Sequence, residues 1–266
     1  IAKLPRKDFE TKATIAKPDE MSQKCSIIFF VVPGSVEIDR MLKGKNGILA
    51  NPKRGLILYD LTTSDPVYTK KLARRAASKG VSYMDAGMSG GGAKGADKGT
   101  MTLMIGGDPK VFSKTTNTLS IIAKKLIYLG KSGTGHTMKI IHNMITHTNF
   151  FALCEAAHLG RRAGIELKDL IEVFNNGNAR SFISERRFPD HILSETWDGR
   201  SRVYNLNKDV GMAISLADKL GATVNIGRDT YAYIQEAIKQ GRSEDDFTTL
   251  YTELEKLDRK QKKKRV

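Results

Sequence analysis

Apolar and polar positions follow two different patterns along this chain. Up to about residue 132 the apolar residues come as short unbroken runs closed by glycine, proline or acidic residues. After Gly133 they recur at helical spacing. Unbroken runs of β-branched and aromatic residues mark strands buried on both faces, and the three-to-four spacing marks amphipathic helices. The runs predict four strands: Ser26–Val32 (SIIFFVV), Gly55–Thr63, Val81–Ala86 and Thr100–Gly107. A helix is predicted between the second and third, with Ser64 or Asp65 as cap, Pro66 in its first turn and Gly80 at its end. Another is predicted from Asp108–Pro109 to about Tyr128. Past Gly133 no further strand is expected. Helices are predicted at about His136–Ala163, Leu167–Asn175, Asn205–Leu220, Asp229–Lys239 and Glu244–Lys260, the last opened by a Ser243/Asp246 capping box.

Strands alternating with helices of this length predict βαβ units and a largely parallel sheet. The expected fold class is therefore α/β followed by an all-α domain. The expected boundaries are 1–132 for the sheet domain, 133–258 for the helical domain and 259–266 for a basic tail.

In open α/β sheets, sites lie outside the carboxyl ends of the strands. Three consecutive strand ends here carry small, polar or turn-forming residues: VVPGS (Val32–Ser35), DLTTSDP (Asp60–Pro66) and DAGMSGGGAKGADKGT (Asp85–Thr100). Together they suggest one crevice along that edge. The third holds five glycines between Met88 and Gly99. Glycine lets backbone N–H groups approach a ligand, so this stretch is either an anion-binding nest, to which Ser89 adds a hydroxyl, or a plain surface loop.

A fourth stretch, GTGHTMKIIHN (Gly133–Asn143), places Lys139 and Asn143 one turn apart on a helix, with apolar Ile140, Ile141, Met144 and Ile145 around them. Lysine on such a helix either snorkels to water or, when desolvated, exchanges a proton near neutral pH. Asparagine both donates and accepts, and so can hold a hydroxyl or carboxylate beside it.

Composition narrows the classes. The chain has 266 residues with 40% hydrophobic content, and no run approaches the ~18–20 apolar residues of a membrane span. Cys25 and Cys154 are its only cysteines. That excludes a disulfide framework or thiolate metal site as the organising principle, no metal is expected, and reduced thiols suit a cytoplasmic setting or the mitochondrial matrix. The formal charge is +15, part of it in the tail RKQKKKR. The remaining basic residues are scattered and not interleaved with aromatics, so nucleic-acid binding is not the first expectation.

The segment DAGMSGGGAKGADKGTMTLMIGG resembles the corresponding segment of the β-hydroxyacid dehydrogenases. GKSGTGHTMKIIHN is similar to their lysine-and-asparagine helix, NLNKD (Asn205–Asp209) to their KD segment, and DLTTSDP to another of their loops. The resemblance implies a two-domain oxidoreductase: a Rossmann-type doubly wound sheet binding NAD or NADP, then a helical domain with a long interdomain helix. It implies Lys139 as the catalytic acid–base and Ser89, Gly90, Gly91 and Asn143 as substrate-holding positions. Val32, Pro33, Thr63 and Lys208 would lie near the cofactor. It further implies a small hydroxy-acid substrate, 3-hydroxyisobutyrate-like or 2-hydroxy-3-oxopropionate-like, and a homo-oligomer, dimer or tetramer. Substrate specificity is expected on the helical domain, with Asn175, Asn178, Arg180 and Phe188 as candidates.

The chain departs from that family in three places. No strand followed by G-x-G-x-x-G precedes SIIFFVV, so the first βαβ unit, on the order of 30 residues, is expected to be missing, which puts the activity of this chain in doubt. Gly87 replaces a common proline. His142 before Asn143 is similar to 6-phosphogluconate dehydrogenase, which makes a decarboxylating dehydrogenase the alternative, but Thr146 and His147 follow where that relative carries a second acid. A catalytically impaired dehydrogenase-like module that binds nucleic acid or a protein is the alternative of another class.

Overall fold

The computed structural model describes residues 13–90, 95 and 98–257. The chain divides into two compact units, Ile1–Met138 and Lys139–Val266. In the first, α1 (Pro18–Lys24) precedes β1 (Ile27–Phe30), α2 (Ser35–Leu42), β2 (Ile57–Asp60), α3 (Pro66–Ala77), β3 (Ser82–Ser89), β4 (Met101–Gly106), α4 (Pro109–Leu119) and β5 (Ala123–Tyr128). The strands form one sheet in the order β1-β2-β3-β4-β5. β1, β2 and β3 are parallel, β4 runs antiparallel to β3, and β5 is parallel to β4.

Side chains alternate across the sheet, and both faces are covered. Leu56 and Leu58 enter a core with Ile28, Phe30, Ile38, Leu42, Leu72 and Ala76, while Ile57 and Tyr59 enter another with Met84, Leu103, Ile105 and Leu119. α3 forms as predicted. Asp65 accepts from the N–H groups of Val67 and Tyr68, and Pro66 takes the first turn.

Several expectations change. β1 is not buried on both faces: it sits at the edge of the described sheet, and Phe29 is 37% exposed. The helix expected to reach Tyr128 ends at Leu119, and a fifth strand, β5, follows, with Lys124 and Lys125 exposed. α1 carries too few apolar residues for the run pattern to show it, and the apolar residues of α2 are interrupted by Glu37, Asp39 and Arg40.

The second unit is helical: α5 (Thr134–Arg162), which begins within the first unit's residues, α6 (Leu167–Asn176), a π-helical stretch (Ile183–Leu193), α7 (Val203–Leu220), α8 (Asn225–Lys239), a 3₁₀ turn (Phe247–Thr249) and α9 (Leu250–Leu257). One core joins them, with Phe150, Phe151, Phe188, Leu206, Val210, Ile234, Phe247 and Tyr251 among its members. The expected Ser243/Asp246 capping box is absent. Asp246 caps the 3₁₀ turn by accepting from Thr248 N–H. The π-helical stretch, with Pro189 inside it, was not anticipated, because wide turns carry no 3.6-residue period. No helix among the described residues is long and apolar enough to cross a membrane.

Candidate functional site

In the first unit the register sets Phe30, Asp60 and Asp85 level across the three parallel strands. The loops that follow them therefore leave the sheet at one edge. Buried Asp60 organises the middle loop: its carboxylate accepts from Thr62 N–H at 3.0 Å, Ser64 Oγ at 3.0 Å and Tyr83 OH at 2.8 Å. Thr62 Oγ1 accepts from Val32 N–H at 3.3 Å, and Asp65 N–H donates to Ser35 Oγ at 3.2 Å. These bonds tie the loop holding Val32 and Pro33 to the loop holding Thr63. α2 and α3 both begin at this edge, so their N–H ends face the side where an open α/β sheet takes an anionic cofactor. The pattern fits a dinucleotide.

β3 continues beyond Asp85 to Ser89, paired with β4 through Ser89 and Thr102. Gly90 follows with φ of 123°, in the region that favours glycine, and a Cβ there would lie 3.1 Å from Met101 Cα. Gly91 and the basic tail lie outside the described residues.

Buried Asp85 does a second job. It accepts from Gly133 N–H at 2.7 Å and from His136 N–H at 3.1 Å, capping the start of α5. His136 is wholly buried, with Nδ1 2.7 Å from Thr69 Oγ1 and Nε2 3.1 Å from Asp60 O. Gly135 is required here: a Cβ would lie 2.3 Å from Met104 O and 2.8 Å from Asp85 O.

In the second unit α5 and α7 gather the remaining candidates. Asn143 Nδ2 donates to Asp209 Oδ2 at 2.6 Å, which turns its Oδ1 toward His142 Nδ1 at 3.1 Å. The amide oxygen can only accept, so His142 carries its proton on Nδ1. Lys208 Nζ lies 3.5 Å from Asp209 Oδ1. Thr146 Oγ1 donates to the His142 carbonyl at 2.9 Å.

Charge interactions link the group further. Burial lowers the Lys139 ammonium below its usual range, the Asp209 carboxylate works against that shift, and Lys208 adds to it. Burial raises Asp209, while Lys208, Asn143 and Lys139 pull it down. Burial also lowers His142, with the Asn143 bond opposing and Lys139 adding. His147 falls to about 3 through burial and the charges of Lys139, His142 and Arg187, so it is neutral at pH 7.

The second unit thus brings Lys139, Asn143 and Lys208 together around Asp209, which is not among the candidates drawn from the sequence. Its one signal was its place in NLNKD beside Lys208. Of the specificity candidates, Phe188 is excluded: it is fully buried and meets the Tyr251 ring edge-on at 5.5 Å. Asn175 Nδ2 is engaged with Ser184 O at 3.1 Å and Arg180 pairs with Glu185 at 3.5 Å, while Asn178 is exposed. Among the described residues no cluster of side chains suits a metal ion.

Two family models cover most of the chain. Residues 3–130 match the NAD binding domain of 6-phosphogluconate dehydrogenase, and residues 133–254 match the domain described as NAD-binding of NADP-dependent 3-hydroxyisobutyrate dehydrogenase. A 2-(hydroxymethyl)glutarate dehydrogenase of Eubacterium barkeri is 34% identical over 188 residues, 71% of this chain and 62% of that protein's length. An L-threonate dehydrogenase of Cupriavidus necator is 32% identical over 203 residues, 76% of this chain and 68% of its own length. A solved 3-hydroxyisobutyrate dehydrogenase of Mycobacterium tuberculosis shares the fold, with a TM-score of 0.79 at 22% identity over 88% of this chain and 81% of its own.

Proposed function

The chain belongs to the β-hydroxyacid dehydrogenase family, and on that premise we propose that it interconverts a small β-hydroxy acid and its carbonyl form with NAD or NADP, Lys139 serving as general acid–base. The carrying observation is the state of Lys139: half-buried on α5, held below its usual pKa by burial, and linked by charge to Asp209 and Lys208. A lysine so placed reaches its neutral form at lower pH than an exposed one, as a proton acceptor must.

The cofactor, when bound, supplies the hydride acceptor for oxidation or the donor for reduction. The chain's residues do the rest. Ser89 and the Gly90–Gly91 backbone hold the substrate carboxylate. Lys139 Nζ accepts the hydroxyl proton in oxidation and returns it in reduction. Asn143, with its amide fixed by Asp209 and His142, keeps the hydroxyl in reach of Nζ. Val32, Pro33, Thr63 and Lys208 contact the cofactor. Relatives are named for 2-(hydroxymethyl)glutarate and L-threonate, and the fold relative for 3-hydroxyisobutyrate; this supports a hydroxy acid of that size range. Thr146, whose hydroxyl is spent on the His142 carbonyl, gives no support to a decarboxylating reaction.

The test is turnover of these hydroxy acids with NAD+ and NADP+ by the wild-type chain and by Lys139→Ala. A positioned acid–base group contributes about 10²–10⁴-fold. A loss of that order in a folded variant is expected; near-wild-type kcat would remove Lys139 from the reaction.

A further inference from the structure

Arg187, on the π-helical stretch, has a role in none of the above. Its guanidinium lies between two rings, with Cζ 5.4 Å from the Phe182 centroid and 5.7 Å from that of Phe247. Nη1 donates to Gly199 O at 2.9 Å and lies 3.2 Å from His191 Nε2. Among the described residues Nε and Nη2 make no hydrogen bond, and no carboxylate lies within ion-pair distance. The two carboxylates that act on it from farther off are committed elsewhere: Asp246 to Thr248 and Ser201, Asp190 to Arg186. A half-buried guanidinium held by two rings, with one edge of its fork unused, is the arrangement that takes a carboxylate or phosphoryl group in bidentate fashion.

A second observation concerns another neighbour of Phe247. The His147 ring centroid is 6.4 Å from that of Phe247, and His147 Nδ1 is buried without a hydrogen-bond partner among the described residues. A buried polar atom left unpaired in a native structure calls for an explanation, and an absent ligand is one. His147 also feels the charges of both Lys139 and Arg187, and none of the groups acting on it is an anion. Its position, two turns along α5 from Lys139, is about 12 Å farther down the helix axis.

We propose that Arg187, which shares the Phe247 ring with His147 as a neighbour, receives a second anionic group of the substrate, a carboxylate or phosphonate at the end remote from the carbon on which Lys139 acts. The substrate class is then a dianionic hydroxy acid, not a monocarboxylate. This rests on the reading of Lys139 given above. Arg187 is a specificity residue: it orients the substrate and takes no part in the proton or hydride transfer.

The experiment is isothermal titration of the full chain with glutarate, 3-phosphonopropionate and butyrate, for wild type, Arg187→Gln and Arg187→Lys, with Trp197 fluorescence as the check on folding. The wild type is expected to bind one of the dianions roughly tenfold or more tightly than butyrate, the order of a hydrogen-bonded charge pair. Arg187→Gln is expected to erase that margin. Arg187→Lys, which keeps the charge and loses the fork, retains part of it. The glutarate and phosphonate arms tell a carboxylate subsite from a phosphoryl one. Equal affinities in wild type, or an unchanged margin in Arg187→Gln, overturn the proposal. If Arg187→Gln does not fold, Arg187→Lys and His147→Gln are held to the same criterion. A margin that depends on Arg187 in a chain that turns over no hydroxy acid upholds the subsite and sinks the reaction. Turnover without the margin does the reverse.

Discussion

The balance of charges around Lys139 sets the pH at which the proposed reaction runs. In oxidation the lysine must be neutral to accept a proton, so kcat/KM should rise with pH and level off above the Lys139 pKa. That pKa lies below the usual lysine value because burial disfavours the ammonium. Asp209 favours the ammonium and Lys208 disfavours it. Replacing Asp209 by Asn should therefore move the rising limb to lower pH, and Lys208→Met should move it to higher pH. The free enzyme's kcat/KM profile reads this directly. An unmoved limb in both variants would mean that another group titrates. Lys139 and Asn143 could be picked out in the sequence because four-residue spacing puts two side chains on one helical face. Asp209 could not, since it lies 66 positions beyond Asn143 and meets it only once the chain between them has folded. Arg187 was hidden for a similar reason, its neighbours Phe182, Gly199 and Phe247 belonging to three separate segments.

At the level of elements, Asp85 connects the sheet to the helix that carries Lys139. It ends the register shared by the parallel strands and accepts two N–H groups from the start of α5. Asp85→Ala would leave both buried donors unpaired, at a cost of about 1–3 kcal/mol each. Asn, whose single oxygen cannot serve both donors equally, should fall between Ala and wild type. Urea denaturation of the three proteins tests this, and equal midpoints for Ala and wild type would deny the cap. The element pattern itself was partly legible. β2 stood out because Ile57, Leu58 and Tyr59 continue the buried run from Leu56, which only Asp60 closes. β5 did not, because Lys124 and Lys125 face water and Ile127 is 47% exposed, so only a weak alternation survives in the sequence. α2 was missed because Glu37, Asp39 and Arg40 break its run, although Ile38 and Leu42 bury one face of it. The capping aspartates Asp65 and Asp108 were readable because each precedes a proline.

For the molecule as a whole, the excess of basic over acidic residues bears on how an anionic substrate arrives. A formal charge of +15 spread over the chain attracts anions at a distance, and added salt weakens that attraction. Raising the ionic strength from about 0.01 M to about 0.15 M shortens the screening length from about 30 Å to about 8 Å. The expected result is a severalfold fall in kcat/KM for a hydroxy-acid anion. Turnover at saturating substrate should change little, because the attraction acts on encounter and binding. A dianionic substrate should show the steeper fall, since each of its charges is drawn by the same field. Trimming Arg259–Val266 removes six basic residues and leaves a chain that is still cationic. The salt dependence should therefore persist, reduced, in the trimmed chain. If the whole effect disappears with those residues, the field that matters to the substrate is theirs and not that of the rest of the chain. If kcat/KM is flat with salt in both, the basic composition has no part in substrate capture.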